Sequence, residues 1–136
     1  KEKDVEKYRD ILDRAFSAMD NAYAPYSNYY VGACVKTKDG RYFIGANVEN
    51  ASYGLTNCAE RNAIFQAYSQ GYRKEDIEVI AIVSKGKTLA TPCGACRQVL
   101  VELLNKKTPI VLSNNEKEMI TNIEELLPMS FTSDDL

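Results

Sequence analysis

Apolar side chains recur every three or four positions between residues 3 and 23, with charged residues between them. This spacing predicts an amphipathic helix whose apolar face packs on a sheet. The residue before a proline disfavours helical backbone, so we expect Pro25 to end the helix. The apolar face would consist of Val5, Tyr8, Leu12, Ala15, Phe16, Met19 and Tyr23.

The next pattern is a pair of strands on either side of Asp39-Gly40, the strongest short hairpin signal in the chain. It predicts strands at Val31–Lys38 and Arg41–Val48. Residues 32–34 (GAC) are small on both faces of the first strand, which indicates that other elements pack closely there.

Helical and strand patterns then alternate to the end of the chain. The run IEVIAIVS at residues 77–84 is typical of a central strand covered on both faces. Helices are predicted from near Asn57 to about Gln70 and from Thr91-Pro92 onward, with proline in the first turn. The remaining predicted elements are strands at 109–112 and 118–120, a turn at Asn114-Asn115 and a helix at 122–127.

The order α-β-β-α-β-α-β-β-α predicts an α/β fold, with one mixed sheet and helices on both faces. Strands joined through helices should be parallel, with right-handed crossovers. The chain has 136 residues, the usual size of one domain, and we expect residues 1–136 to form a single domain.

The formal net charge is −2 and Lys and Arg form no run, which argues against a nucleic-acid partner. No apolar run approaches the length of a membrane span and no signal-peptide pattern opens the chain, so we expect a cytoplasmic protein with no membrane partner. The four cysteines could form two disulfides, but disulfide scaffolds are typical of small secreted domains that lack a core.

The chain contains no histidine. This absence excludes Ser-His-Asp and Cys-His triads, HExxH metal sites and any imidazole base. A metal enzyme with this composition must use thiolate or carboxylate ligands, and a carboxylate, Lys or Tyr as its proton carrier.

Three cysteines lie at predicted helix starts, where backbone N–H groups and the helix dipole stabilise thiolates: Cys58, Cys93 and Cys96. Three thiolates describe a zinc site with one position open for water, which can lose its proton near neutral pH. Glu60, two residues from Cys58, can take that proton and hand it on. Positive groups should offset the thiolate charge, and we expect Arg61 to donate hydrogen bonds to ligand sulfurs, with Arg97 also close by.

Two other readings of the thiols stay open. A closed structural zinc site would need Cys34 as fourth ligand, although a free cysteine inside a strand usually acts as a small hydrophobe. The C-x-x-C pair at residues 93–96 could instead be a redox pair.

Taken together, these motifs resemble the cytidine deaminases of the small homotetrameric type. The segments that carry the resemblance span nearly the whole chain in family order: APYS with VGA, NVENA, CAER, PCGACRQV, and EELLP with Phe131. The general deaminase signature, with Cys or His as first ligand and Glu as acid/base, is well known.

The resemblance implies a three-layer α/β/α sandwich with a mixed five-stranded sheet. It implies zinc-dependent hydrolytic deamination of cytidine and deoxycytidine to uridine and deoxyuridine, in pyrimidine salvage. One Zn²⁺ per subunit would be held by Cys58, Cys93 and Cys96, with Glu60 as proton shuttle. The family assembles as a homotetramer with shared active sites.

The resemblance also assigns substrate contacts. Asn47 and Glu49 match the ribose-binding residues, and the Ala59 amide matches the donor to the base O2. Tyr29 falls where the family often has Phe near the sugar and base. Phe131 matches a tail aromatic that covers the base of a neighbouring subunit.

Three rival functions remain. A blasticidin-type deaminase would act on another aminated pyrimidine nucleoside, but the NVEN ribose motif favours an ordinary nucleoside. A nucleic-acid deaminase is disfavoured by the acidic balance and by an antiparallel final hairpin. A non-enzymatic zinc-binding module predicts that replacing Glu60 changes no function.

Overall fold

A mixed five-stranded sheet forms the centre of the computed structural model, which describes residues 5–136. The strand order is β2-β1-β3-β4-β5. The strands are β1 (Val31–Thr37), β2 (Tyr42–Ala46), β3 (Ile77–Ser84), β4 (Ile110–Ser113) and β5 (Glu118–Thr121). The helices are α1 (Arg9–Met19), α2 (Ala59–Ser69), α3 (Gly94–Leu103) and α4 (Ile123–Leu126).

The directions of the strands confirm the prediction that strands joined through helices are parallel. β1 pairs antiparallel with both β2 and β3, β3 pairs parallel with β4, and β4 pairs antiparallel with β5. β2 and β3, which are joined through α2, therefore run in the same direction, with β1 between them. β3 and β4, which are joined through α3, also run in the same direction. The hairpins also form as predicted, with Gly40 and Asn115 in left-handed conformations at the turns.

Helices cover both faces of the sheet, which confirms the three-layer α/β/α sandwich. α1 packs on one face, against side chains that include Cys34, Val79 and Val111. α2, α3 and α4 pack on the other face, in a cluster that includes Ile80 and Leu112. Because side chains alternate along a strand, β3 supplies both clusters and is the buried central strand that its apolar run predicts.

Two glycines let the helices approach the sheet closely. A Cβ atom on Gly32 would lie 2.0 Å from the Ala15 carbonyl oxygen of α1. A Cβ atom on Gly45 would lie 2.5 Å from the Ala59 carbonyl oxygen of α2. The contact at Gly32 confirms the predicted close packing at residues 32–34. Gly45 allows a similar close approach between β2 and α2.

The first helix ends earlier than predicted. The prediction of helix to residue 23 was wrong in its last turn, because α1 stops at Met19. The Tyr23 amide donates to the Asn47 carbonyl at 2.9 Å, and the Tyr23 carbonyl accepts from the Glu49 amide at 2.8 Å. These tertiary bonds hold Tyr23 extended beside the chain that follows β2. The predicted start at residue 3 lies outside the described residues.

Other boundaries shift where the chain meets the site. The helix predicted to open at Thr91-Pro92 begins instead at Gly94, with Cys93 as an extended N-cap (φ −67°, ψ 170°). α2 likewise begins at Ala59, one residue after Cys58, rather than near Asn57. β2 ends at Ala46 rather than at residue 48. Both α2 and α3 therefore have a cysteine with extended backbone as their N-cap residue.

The strand registers show which edge of the sheet carries the site. Val31, the first residue of β1, pairs with Ser84, the last residue of β3, and Gly32 pairs with Ala46 at the end of β2. The chain leaves the sheet at this edge before it enters α2 and α3. Among the described residues, no helix has the length and apolar character needed to cross a bilayer.

Candidate metal centre and cavity

Three cysteine sulfurs meet where α2 and α3 begin. Cys58 and Cys93 are the N-caps of these helices, and Cys96 lies in the first turn of α3. The Sγ atoms of Cys58 and Cys93 are 3.9 Å apart, and those of Cys93 and Cys96 are 3.4 Å apart. Tetrahedral zinc thiolates, with Zn–S near 2.3 Å, place their sulfurs about 3.8 Å apart. The three residues therefore fit one zinc ion.

The electrostatics of this cluster also suit a cation. The neighbouring Cys96 thiol and the Arg61 guanidinium favour the Cys58 thiolate, and together they lower the pKa of Cys58 to about 5 despite burial. The same pairing with Cys58, together with burial, raises the pKa of Cys96. A cation that binds all three sulfurs displaces the remaining protons, which is how metal affinity becomes dependent on pH.

Cys34 takes no part in this cluster. It is fully buried on β1, on the sheet face that α1 covers, whereas the three clustered cysteines lie at the helices of the opposite face. Burial raises the pKa of the Cys34 thiol to about 12, as expected for an inert hydrophobe. A closed site with Cys34 as fourth ligand is therefore excluded, and the cluster of three leaves one position open.

The two arginines differ in their contacts. Arg61 Nη2 donates to the Cys58 sulfur at 3.4 Å, and its buried Nε has no partner among the residues that the structure describes. Arg97 instead donates to two backbone carbonyls, those of Pro92 at 2.7 Å and Leu126 at 2.6 Å. The structure thus brings Arg61 to the sulfurs, while the hydrogen bonds of Arg97 reach the loop before Cys93 and the end of α4.

Glu60 is buried next to the sulfurs, with 4% of its surface exposed. Burial, assisted by the charge of Cys58, raises the pKa of this carboxyl to about 7, although its own backbone N–H opposes the shift. A carboxyl that titrates near neutral pH can both accept and donate a proton in one catalytic cycle.

A cavity of about 320 Å³ opens over Glu60 and the sulfurs, which is within the size range of small-molecule sites. Val31, Ile82 and Ala90 form apolar parts of its wall. Seven of the ten residues predicted for the site line it: Tyr29, Asn47, Glu49, Cys58, Ala59, Glu60 and Cys93.

A second, larger cleft of about 610 Å³ follows β2 and the outer side of α2. Its lining includes Ile44, Phe65 and Gln66 but no ionisable side chain. Without a titratable group, this cleft offers no acid, base or metal ligand.

Asn47 and Glu49 accept hydrogen bonds from backbone amides of residues 26–31, a segment that forms part of the cavity wall. Glu49 Oε1 accepts from the amides of Tyr26 at 3.0 Å and Ser27 at 3.1 Å, and its Oε2 accepts from the Ser27 hydroxyl. The Ser27 hydroxyl is the main reason that the pKa of Glu49 lies below its ordinary value. Asn47 Oδ1 accepts from the Val31 amide at 2.9 Å.

Both side chains keep capacity for a ligand. A carboxylate has about four acceptor positions, of which the bonds to Tyr26 and Ser27 occupy three. Asn47 Nδ2 donates to the Tyr29 carbonyl at 2.8 Å and still has a second N–H. Ser27 also lines the cavity. It belongs to the APYS motif, but the sequence analysis predicted no role for it.

Three predicted residues do not line this cavity: Cys96, Arg61 and Phe131. Cys96 is fully buried beside the other sulfurs. Phe131 is 60% exposed on the C-terminal tail, where its carbonyl accepts from Gln98 Nε2 at 2.9 Å. Its ring therefore has no contact with the cavity of its own chain.

Comparisons with known proteins agree with this geometry. Residues 5–112 match the family described as the cytidine and deoxycytidylate deaminase zinc-binding region. A cytidine deaminase of Halalkalibacterium halodurans is 49% identical over 128 residues, which cover 93% of this chain and 95% of the relative. The crystal structure of cytidine deaminase from Burkholderia pseudomallei superimposes with a TM-score of 0.88 at 46% identity, covering 91% of this chain and 98% of that one. That of Mycobacterium tuberculosis gives 0.77 at 36% identity, covering 92% and 97%.

Proposed function

The chain belongs to the cytidine and deoxycytidylate deaminase family, and we propose that it hydrolyses cytidine and deoxycytidine to uridine and deoxyuridine, with release of ammonia. The observation that carries this proposal is one cavity that joins a buried carboxyl, Glu60, to a cluster of three thiols at two helix N-termini. Such a reaction serves pyrimidine salvage, and we infer that residues 1–136 form one catalytic domain.

Cys58, Cys93 and Cys96 would hold the zinc ion. When bound there, zinc supplies Lewis-acid activation of the attacking water. Arg61 donates to the Cys58 sulfur at 3.4 Å and offsets part of the charge of three thiolates.

Glu60 moves the protons. A buried carboxyl whose pKa is raised to about 7 can take up and release a proton near neutral pH, so it can accept the proton of the attacking water. It delivers this proton to N3 of the base, and it then moves the second water-derived proton from the C4 hydroxyl group to the leaving amino group. Water adds at C4 and ammonia departs, and Glu60 returns to its starting state.

The other residues of the cavity orient the nucleoside. The Ala59 amide lies in the first turn of α2, where backbone N–H groups have no partner within the helix, and it is suited to the base O2. The spare N–H of Asn47 and the spare acceptor position of Glu49 suit the ribose hydroxyls. Tyr29 forms the side wall and adds a hydroxyl where the family often has Phe.

We further propose that four copies assemble and that Phe131 covers the base in a neighbouring copy. Several exposed aromatic and aliphatic side chains support an assembly, among them Tyr53 at 76% and Leu55 at 71% exposed. Phe131 does not reach its own cavity, so it can act only on another chain. Sedimentation velocity on the zinc-loaded protein tests this, and a monomer at assay concentration would remove the shared-site role.

The proposed reaction is tested with the zinc-loaded protein and Glu60→Gln, by the ultraviolet change on incubation with cytidine. CMP, single-stranded DNA and a blasticidin-type nucleoside serve as competing substrates. We expect turnover of cytidine and deoxycytidine, and a loss of about 10²- to 10⁴-fold in Glu60→Gln with zinc retained. Unchanged turnover in Glu60→Gln, or preference for a competing substrate, would contradict the proposal.

A further inference from the structure

Two consecutive residues of α3 hold the C-terminal tail. Arg97 Nη1 donates to the Leu126 carbonyl, at the last residue of α4, over 2.6 Å. Gln98 Nε2 donates to the Phe131 carbonyl over 2.9 Å. The loop at residues 127–130 therefore has both of its ends attached to the helix that also carries Cys96.

Arg97 makes a second bond toward the metal centre. Its Nε donates to the carbonyl of Pro92, the residue before Cys93, over 2.7 Å. A planar guanidinium can satisfy two carbonyls at fixed angles, which a lysine ammonium cannot reproduce. One half-buried side chain thus connects the segment before Cys93 with the end of α4.

The tail has a definite conformation between and beyond these two bonds. Met129 adopts a left-handed backbone (φ 54°), which reverses the chain after Pro128. Thr132 then caps a short 3-10 turn at Ser133–Asp135, where its hydroxyl accepts from the Asp134 amide. Gln98 thus holds the backbone of Phe131, whose ring is 60% exposed.

We propose that Arg97 and Gln98 are positioning residues that place Phe131 relative to the segment that carries Cys93. Gln98 sets the position of the tail alone. Arg97 sets the tail and the segment before Cys93 together, so that displacement of one loosens the other. This inference rests on the proposed function in one respect, because the catalytic value of a fixed Phe131 depends on a shared site.

The two residues should therefore differ when they are replaced. Gln98→Met keeps the length of the side chain but cannot donate to the Phe131 carbonyl. Arg97→Lys keeps the charge but cannot bridge Pro92 and Leu126. Glu102→Gln changes an exposed residue one turn further along α3 and serves as the matched control.

The experiment measures backbone amide exchange by mass spectrometry in the zinc-loaded protein, together with the rate of zinc release to a chelator and kcat and KM for cytidine. In Gln98→Met we expect exchange in residues 127–136 to rise about five- to tenfold, the ratio for one lost hydrogen bond. KM should rise while kcat and zinc release stay at wild-type values.

In Arg97→Lys we expect faster exchange in both the tail and residues 91–96, together with faster zinc release. Glu102→Gln should match the wild type in every readout.

Unchanged tail exchange in Gln98→Met overturns the proposal even if Arg97→Lys fails to fold. Tail loosening in Arg97→Lys without change in residues 91–96 or in zinc release overturns the coupling. If wild-type protein left cytidine unchanged, the proposed function would fail, whereas exchange and zinc release would still decide this inference.

Discussion

Arg61 and Cys58 lie one turn apart at the start of α2, and the Nη2 atom of Arg61 donates to the Sγ atom of Cys58 over 3.4 Å. The guanidinium is partly buried and its Nε has no partner among the described residues, so few alternatives compete with the sulfur. Among the described residues, Arg61 is the only basic side chain with a hydrogen bond to a clustered sulfur, and Cys58 is the ligand that it would stabilise.

Replacing Arg61 by Gln should weaken zinc binding about 10- to 100-fold, because a positive donor to a ligand sulfur is lost. Competition with a chromogenic chelator measures the affinity. Arg41→Gln, at the hairpin end of β2 and away from the cavity, is the matched control and should bind zinc as the wild type does. Equal affinity in Arg61→Gln and Arg41→Gln would show that the contact does not stabilise the metal.

Replacing Cys34 by Ala should leave one zinc ion per chain, because Cys34 lies on the opposite face of the sheet from the other three cysteines. The lost sulfur leaves a small void under α1, which should lower the free energy of unfolding by about 1 kcal/mol. Elemental analysis and urea unfolding measure the two effects. Cys58→Ala is the comparison and should lose the metal; zinc loss in Cys34→Ala would reinstate a four-thiolate site.

Replacing Gly45 by Ala should destabilise the protein by about 1–3 kcal/mol, because the new methyl group would press against the Ala59 carbonyl and force α2 outward. The first turn of α2 carries Glu60, so turnover should fall as well. Gly54→Ala is the control, since a Cβ atom there meets nothing within 4 Å. Thermal unfolding compares the two variants, and equal midpoints would contradict the close approach.

Replacing Glu49 by Gln should change how stability depends on pH. The folded pKa of Glu49 is lowered by the Ser27 hydroxyl and by two amides, so the ionised form stabilises the native state above the ordinary pKa of 4.5. That contribution is lost as pH falls through the folded pKa. The thermal midpoints of wild type and Glu49→Gln, measured from pH 7 to 3, should therefore converge on acidification. A constant gap between them would contradict the assignment.

Ser27→Ala provides a finer variant for the same contact. It removes one donor to Glu49 and leaves the amide donors of Tyr26 and residue 27 in place. The fall of the thermal midpoint that is due to Glu49 should therefore be smaller in Ser27→Ala than in the wild type, and absent in Glu49→Gln.

The sequence by itself determined the elements and the chemistry. Periodicity and turn residues predicted the order of helices and strands, because these patterns depend on residues close together in the chain. The absence of histidine restricted the ligands of a metal to thiolates and carboxylates, and the positions of Cys58, Cys93 and Cys96 predicted which thiolates these are. Topology rules then predicted the parallel relation of β3 and β4, which the structure confirms.

Only the tertiary structure decided which groups meet. Tyr23 leaves the helix because Asn47 and Glu49, more than twenty residues away, bind its backbone. Arg97, which the sequence placed near the thiolate charge, donates instead to carbonyls that local sequence could not bring to it. Cys34 is separated from the other thiols by the face of β1 on which it lies. Long-range contacts of this kind depend on how whole elements pack, and no local pattern of residues contains that information.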